Sequence, residues 1–374
     1  MNTVAAHRMP LPRRWNWTSV KSGTAFIRRV PVWVWRLLMH AVSRGEHTRF
    51  NADPITAVDY RFDIDFVGDG IRAHRLDVIS PREAPASATT DASASESASA
   101  SASESDDGGP PTAGLPVYVY FHGGGWTSGD KRSLTKYCAS QALGGMVVVN
   151  VNYRRATQFT MTHMLHDANA ALAWVTANIA EFGGDPSRIV LGGDSAGGQI
   201  SALLAAAHFR PELAEHYGLE PAAPREVLRG LVQHCSVVDF SVMFERGFIL
   251  SLAFVRMLLP HPGTTATGRR TRGDLRRAAA YLSPIEWLDS AFPPVFVSTS
   301  ERDYFYGANL NFIARLREHG VRVDALIYDH ANTNTLHTWQ QDSRYPESQE
   351  VYQRLQGFVR EVTAQALQPG RLAL

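Results

Sequence analysis

The order of hydrophobic and polar positions predicts alternating strands and helices over most of the chain. Continuous β-branched and aromatic runs, typical of strands buried on both faces, occupy 117–121 and 146–153. Further strand-like runs lie at 72–80, 188–193, 227–235, 293–300 and 321–328, and runs with helical spacing lie at 164–183, 195–209, 308–320 and 348–367. Because strands joined by helices form parallel sheets covered on both faces, we expect an α/β fold with a mostly parallel sheet.

Two segments interrupt this rhythm. From about Pro81 to Gly114, Ser, Ala, Thr and acidic residues dominate, and aromatic and large aliphatic residues are missing. Such a segment cannot bury enough apolar surface to fold, so we predict a disordered insertion in a hairpin-type loop. The second segment, 236–282, combines the apolar, helix-like run Phe248–Leu259 with a basic loop rich in Gly and Thr. We assign 236–282 to a helical cap over the carboxyl edge of the sheet.

Residues 1–50 form a predicted N-terminal helical arm that joins this cap, and residues 51–374 form the main domain. The first 45 residues contain eight Lys or Arg residues, no acidic residue, and four of the eight tryptophans. The apolar run Val30–Val42 is too short to span a membrane and contains Arg36. We favour an arm whose aromatic side chains pack on the protein, because ordered tryptophans are usually buried. Peripheral contact with an anionic membrane surface is the alternative.

Composition narrows the class of protein. The chain has 374 residues, 44% of them hydrophobic, and a formal net charge of +1. This balance gives no reason to expect nucleic acid as a partner. The two cysteines, Cys138 and Cys235, exclude a disulfide framework and a Cys-rich zinc module. So few cysteines fit a reducing compartment, and we therefore expect a cytoplasmic protein. Peripheral contact with a membrane through the N-terminal arm is the alternative.

The strongest local motif is GDSAGG at 193–198, between the strand-like run at 188–193 and a helix-like run that begins at Ser195. G-x-S-x-G in this setting is typical of a nucleophile elbow, a sharp turn that exposes the serine hydroxyl above the strand ends. The N–H groups and positive dipole end of the helix can face a developing oxyanion. Ser195 is therefore the candidate nucleophile.

A second motif, HGGGW at 122–126, follows the strand-like run at 117–121. A glycine run lets the backbone approach a reacting carbonyl oxygen closely, so we predict an oxyanion hole formed by the N–H groups of Gly123, Gly124 and Ala196. A phosphate-binding turn is the alternative interpretation, but the Gly-Lys-Ser/Thr sequence of a P-loop does not follow. His122 precedes the glycines at a strand end, and we expect it to brace the loop.

Together the two motifs resemble the bacterial hormone-sensitive-lipase-like group of α/β-hydrolases, and the resemblance extends from about Tyr60 to Ala366. It implies the α/β-hydrolase fold with eight strands and a helical cap. It also implies hydrolysis of carboxylic esters with short-to-medium acyl chains through an acyl-serine, without a metal or an organic cofactor. A small-molecule ester would be the substrate, and homodimers are common in the group.

The resemblance further implies that the acid and the histidine follow the serine in the chain. Asp303 lies just past the run at 293–300 and matches the acid of the group, with Glu301 as the reserve. His337, in LHTWQ, matches its histidine, and His330 is the alternative base. Asp194 is interpreted as orienting nearby loops. Tyr153, Arg154 and Asp167 are interpreted as structural.

Two other functions stay open at this point. The triad residues do not separate an esterase from an amidase or formamidase of the same fold. A non-catalytic ligand receptor is the third hypothesis, since receptors that resemble this group keep the pocket and lose the catalytic histidine. The presence of both Asp303 and His337 favours an enzyme.

Overall fold

The computed structural model describes residues 47–82, 114–245, 251–260 and 271–364, with isolated positions between 34 and 45. Within these residues, eight strands form a single sheet. The strands are β1 (Val58–Asp65), β2 (Arg75–Pro81), β3 (Leu115–Phe121), β4 (Val147–Val151), β5 (Gly184–Asp194), β6 (Leu228–His234), β7 (Val295–Ser300) and β8 (Val323–Tyr328).

The strand order is β1-β2-β4-β3-β5-β6-β7-β8. Strand β2 runs antiparallel to both of its neighbours, β1 and β4, and all the other pairs are parallel. The predicted α/β fold with a mostly parallel eight-stranded sheet is therefore confirmed. Strand β1, with the sequence VDYRFDID, lies at one edge, and only its first residue is buried. Its mixture of charged and aromatic residues explains why the hydrophobic pattern alone does not single it out.

Helices cover both faces of the sheet. The described helices are α1 (Thr135–Ala142), α2 (Met161–Asn178), α3 (Ser195–Phe209), α4 (Pro211–Tyr217), α5 (Ser251–Leu258), α6 (Arg272–Ala279), α7 (Tyr306–Glu318) and α8 (Pro346–Ala364). Alternate residues of β3 point to opposite faces: Val117 and Val119 join the core beneath α2, α3 and α7, whereas Tyr118 joins the core beneath α1 and α8. None of the helices in the described ranges is long and apolar enough to cross a membrane.

The connection between β2 and β3 differs from the predicted hairpin-type loop. The two strands are consecutive in the described chain, but β4 lies between them in the sheet. Strand β2 pairs with β4 in antiparallel fashion, and β3 pairs with β4 in parallel fashion. The hairpin prediction is wrong because β4, which comes later in the chain, pairs with both. Most of the Ala/Ser-rich segment, 83–113, lies outside the described residues.

The segment predicted as a cap, 236–282, is described in part. It contains a short 3-10 helix at Phe240–Phe244, followed by α5 and α6. Helix α5 falls inside the predicted helix Phe248–Leu259, and its Phe254 packs edge-on against Trp126 with ring centroids 5.2 Å apart. Most of the predicted N-terminal arm lies outside the described residues, and residues 47–50 are helical.

Candidate active site

Ser195 stands at the junction between a buried strand and a buried helix. Strand β5 ends at Asp194, and α3 begins at Ser195. Ser195 has a φ of +50°, a left-handed backbone conformation that non-glycine residues adopt at a cost and that is typical of a nucleophile elbow. The turn is tight enough to need a glycine beside it, because a Cβ on Gly193 would lie 2.5 Å from the carbonyl oxygen of Phe121.

A chain of two hydrogen bonds links Ser195 to His337 and His337 to Asp303. Nε2 of His337 lies 2.9 Å from Oγ of Ser195, and Nδ1 lies 2.5 Å from Oδ2 of Asp303. A carboxylate only accepts hydrogen bonds, so Nδ1 carries the proton and the lone pair of Nε2 faces the serine hydroxyl. An imidazole placed in this way can take the proton of the serine as its oxygen attacks a carbonyl carbon.

Asp303 is held from two sides in the loop after β7. Its side chain is fully buried, and its Oδ1 accepts a hydrogen bond of 2.6 Å from the N–H of Phe305. The rings of Tyr304 and Phe305 both pack against the imidazole of His337, with centroids 5.7 and 5.6 Å away. The loop therefore fixes the carboxylate and the ring orientation of the histidine together.

The reserve residues from the sequence analysis lie together, away from this chain of hydrogen bonds. Glu301 accepts a hydrogen bond of 2.8 Å from the backbone N–H of His330, and Arg302 donates to the carbonyl of His330. His330 is exposed. The structure thus brings Ser195, Asp303 and His337 together. The alternative acid and base, Glu301 and His330, instead contact each other in a surface turn.

The loop that follows β3 is braced by His122, as expected from its position before the glycines. Its Nδ1 donates to the carbonyl of Gly123 at 2.7 Å, its ring stacks on Tyr153, and the hydroxyl of Tyr153 donates to its carbonyl at 2.8 Å. Burial lowers the pKa of His122 to about 4, so the ring is neutral at physiological pH. His122 therefore supports the loop and does not face Ser195.

The structure corrects one of the three predicted oxyanion donors. The N–H of Gly123 donates to Oδ1 of Asp194 at 2.9 Å, so it is not free to face a reacting carbonyl. In the described part of the chain, no acceptor takes the N–H of Gly124 or Gly125, and the N–H of Ala196 belongs to the open first turn of α3. The N–H groups of Gly124, Gly125 and Ala196 are therefore the candidate oxyanion donors. The HGGG motif did not indicate which two glycines have a backbone N–H without an acceptor.

Asp194 has a more specific position than the sequence could predict. Its buried carboxylate accepts hydrogen bonds from the hydroxyl of Tyr120 at 2.7 Å, from Gly123, and from Nε2 of Gln341 at 2.8 Å. Burial raises the pKa of Asp194, and the hydrogen bonds from Tyr120 and Gly123 oppose this rise. Gln341 was not among the predicted site residues. No sequence signal marks it, since 147 positions separate it from Asp194.

The predicted structural residues also form a cluster of their own. Arg154 binds the carboxylate of Asp167 through Nε and Nη2, and its backbone N–H donates to the same group at 2.8 Å. His74 adds a contact of 3.1 Å from Nε2 to Asp167. The cluster joins the start of β2 and the segment after β4 to α2, in keeping with its interpretation as structural.

One group of described side chains could supply metal ligands. The ligand atoms of Cys235, Asp303 and His337 all lie within 4.8 Å of one another. The hydrogen bond between Asp303 and His337 already uses two of them. Burial raises the pKa of the Cys235 thiol, which disfavours the thiolate that a metal would need. The geometry thus fits the serine hydrogen-bond chain better than a metal centre.

Comparison with known proteins agrees with this geometry. Residues 118–337 match a family described as having the alpha/beta hydrolase fold. A segment of 221 residues is 48% identical to carboxylesterase NlhH of Mycobacterium tuberculosis, covering 56% of this chain and 63% of that protein. A segment of 196 residues is 32% identical to the probable carboxylic ester hydrolase LipM of the same organism, covering 51% of this chain and 42% of LipM. The chain thus spans less than two thirds of the length of these relatives.

Solved structures share the fold at low sequence identity. Esterase B of Lactobacillus rhamnosis is 18% identical, with a TM-score of 0.69 over 93% of this chain and 97% of that one. An esterase from Pyrobaculum calidifontis is 21% identical, with a TM-score of 0.61 over 91% of this chain and 98% of that one. From the family match and the fold, the chain belongs to the alpha/beta hydrolase family, as its resemblance to the hormone-sensitive-lipase-like group predicted.

Proposed function

We propose that the protein is a serine carboxylesterase that cleaves small-molecule esters with short-to-medium acyl chains. The observation that carries this proposal is the chain of hydrogen bonds from Ser195 through His337 to Asp303. The 48% identity to a protein named as a carboxylesterase supports the reaction class. The acyl-chain range follows from the resemblance to the lipase-like group.

The mechanism assigns one role to each of these residues. His337 takes the proton of Ser195 as Oγ attacks the ester carbonyl, and Asp303 keeps the proton on Nδ1 and stabilises the imidazolium. The N–H groups of Gly124, Gly125 and Ala196 donate to the oxyanion of the tetrahedral intermediate. His337 then protonates the departing alcohol and leaves an acyl-Ser195. Water, activated by the same histidine, hydrolyses this acyl group and restores the serine.

The geometry of the site bears differently on the two alternative functions. A receptor that only binds ligand has no need of the buried Asp303 behind the histidine, so the complete hydrogen-bond chain favours catalysis. An amidase or formamidase would use the same residues. It is the second candidate, and a parallel series of p-nitroanilides separates it from an esterase.

Hydrolysis of p-nitrophenyl esters from acetyl to palmitoyl tests the proposal directly. Wild type should hydrolyse the short members, and Ser195→Ala and His337→Ala should lose roughly 10³-fold or more in kcat. His330→Ala is the matched control and should keep its rate, since its side chain lies on an exposed turn. An inert but folded wild type, or full activity in His337→Ala, would overturn the proposal.

Association and location are separate proposals. We propose a cytoplasmic location from the presence of only two cysteines, and a homodimer from the resemblance to the lipase-like group alone. Contact between the basic, Trp-containing arm and anionic membranes is proposed as the alternative to an arm packed on the protein. Light scattering after size exclusion tests the dimer. Co-sedimentation with phosphatidylserine vesicles, with and without residues 1–45, tests the membrane contact.

A further inference from the structure

One buried carboxylate connects the three chain segments that form the candidate site. Oδ1 of Asp194 accepts from Tyr120 and from Gly123, which lie at the end of β3 and in the glycine loop. Oδ2 accepts from Gln341, which lies four residues after His337. Asp194 itself directly precedes Ser195. Asp194 and Gln341 are 1% and 8% exposed, so these contacts lie away from bulk solvent.

We propose that Gln341 is a positioning residue for the reaction: its hydrogen bond to Asp194 holds the loop that carries His337 in register with Ser195 and the oxyanion loop. The inference rests on the proposed ester hydrolysis. Gln341 does not touch the reacting atoms, and it acts through the backbone of its own loop and through Asp194.

The backbone between His337 and Gln341 is short and turn-bonded, so it transmits displacement. The N–H of Trp339 donates to the carbonyl of Leu336 at 3.1 Å, and the N–H of Gln341 donates to the carbonyl of Thr338 at 3.2 Å. Movement of Gln341 away from Asp194 would therefore move the imidazole as well. Because misplacement by about 1 Å can cost roughly 100-fold in rate, a modest shift of His337 is enough to lower kcat.

The chemistry of the contact makes glutamine specific at this position. Its amide donates to a buried carboxylate, and charge-assisted hydrogen bonds of this kind are stronger than neutral ones. Leucine has a similar volume and no donor. Glutamate would place a second carboxylate against Asp194, and two such groups share one proton when they lie about 3 Å apart.

The experiment compares Gln341→Leu and Gln341→Glu with wild type, using Gln353→Leu on the exposed face of α8 as the matched control. Gln341→Leu should lose about 10- to 100-fold in kcat with KM changed less than threefold. Gln341→Glu should lose kcat progressively as pH rises, because the shared proton is released and the carboxylates then repel each other. Gln353→Leu should match wild type. A drop in unfolding free energy with kcat and its pH profile unchanged would overturn the proposal.

A double variant tests the direction of the hydrogen bond. In Asp194→Asn combined with Gln341→Glu, Oδ1 of the asparagine can still accept from Tyr120 and Gly123, while its amide nitrogen takes the position of Oδ2 and can donate to the glutamate. We expect the kcat of this double variant to be at least tenfold higher than that of Gln341→Glu and to lack the pH dependence of that single variant. No recovery would contradict a positioning role for this contact.

Labelling of Ser195 by a fluorophosphonate separates this inference from the proposed function, because it needs an activated serine and no ester. If wild type is labelled faster than Gln341→Leu but hydrolyses no ester, the esterase proposal fails and the positioning role stands. If wild type hydrolyses esters and Gln341→Leu equals it in kcat and labelling, only the positioning role fails. Without labelling of wild type, both fail.

Discussion

The N–H of Gly123 is hydrogen-bonded to Oδ1 of Asp194 at 2.9 Å, so the first glycine of the HGGG motif serves the carboxylate beside the nucleophile. This contact fixes the start of the glycine loop against the elbow. It leaves the N–H groups of the next two glycines, Gly124 and Gly125, as the donors that we propose for the oxyanion. The positions of these donors therefore depend on the backbone conformation that the following glycines adopt.

Gly124→Ala should reduce kcat by roughly 100-fold, the order of effect seen when one oxyanion donor is lost. Gly124 has a φ of +120°, and a Cβ there would lie 2.6 Å from the carbonyl carbon of Ser128, so the loop must shift. Gly145→Ala is the matched control, because Gly145 has a φ of +90° with no atom within 4 Å of the added Cβ. It should lose only about 1–2 kcal/mol of unfolding free energy and keep its kcat on p-nitrophenyl acetate. Equal kcat in the two variants would contradict the role of Gly124.

Asp303→Asn should reduce kcat/KM by roughly 10⁴-fold. The amide can still accept from Phe305, but an NH₂ group facing Nδ1 favours the histidine tautomer that cannot accept the proton of Ser195. Glu301→Gln should stay within twofold of wild type, since Glu301 binds the backbone of His330 in a surface turn. Steady-state kinetics on p-nitrophenyl acetate at pH 8 compares them. A larger loss in Glu301→Gln would transfer the role of the acid to Glu301.

The sequence predicted those parts of the molecule whose signal is local. Ser195 and the HGGG loop carry motifs, and Asp303 was predicted from the resemblance to the lipase-like group together with its place after a strand-like run. The contact of Asp194 with Gln341 joins residues 147 positions apart, and no spacing rule reports such a pair. The same reason explains the hairpin error, because the strand that separates β2 from β3 comes later in the chain.

The unfolding free energy should fall as pH decreases from about 6.5 toward 4. Burial lowers the pKa of His122 to about 4 and that of His234 to about 3, whereas an unfolded histidine titrates near 6.5. The unfolded state therefore binds more protons in this range, and stability is lost on acidification. For His122 alone the full loss is on the order of 3 kcal/mol, at about 1.4 kcal/mol per tenfold change in proton affinity.

Urea unfolding at pH 7.0, 5.5 and 4.5 measures this slope. His122→Asn keeps an N–H near the position of Nδ1 but loses the ring that stacks on Tyr153, so its unfolding free energy should be lower at pH 7. Because asparagine does not titrate, the unfolding free energy of this variant should also depend less on pH. His330→Asn, at an exposed position, is the control and should keep the wild-type slope. An unchanged slope in His122→Asn would exclude His122 as a source of the acid sensitivity.

Arg49, at the end of the N-terminal arm, should stabilise the loop after His337 through Asp342. Nε of Arg49 donates to Oδ2 of Asp342 at 2.9 Å, and Arg344 binds both oxygens of the same carboxylate at 2.8 Å. Burial raises the pKa of Asp342, but the hydrogen bonds from Arg344 and Arg49 outweigh it and lower the pKa to about 2. The contribution of Asp342 to stability is therefore complete above about pH 4 and is lost as pH falls through 2.

A double-mutant cycle of Arg49→Ala and Asp342→Asn, measured by urea unfolding at pH 7, should give a coupling free energy of about 1 kcal/mol. The value is modest because the guanidinium of Arg49 is 47% exposed and solvent screens it, although the carboxylate is buried. It should decrease in 1 M NaCl, where the Debye length falls to about 3 Å. A second cycle, which pairs a substitution of Arg344 with Asp342→Asn, provides a control from within the loop. A coupling of zero for Arg49 at low salt would mean that the end of the arm lies against the loop without stabilising it.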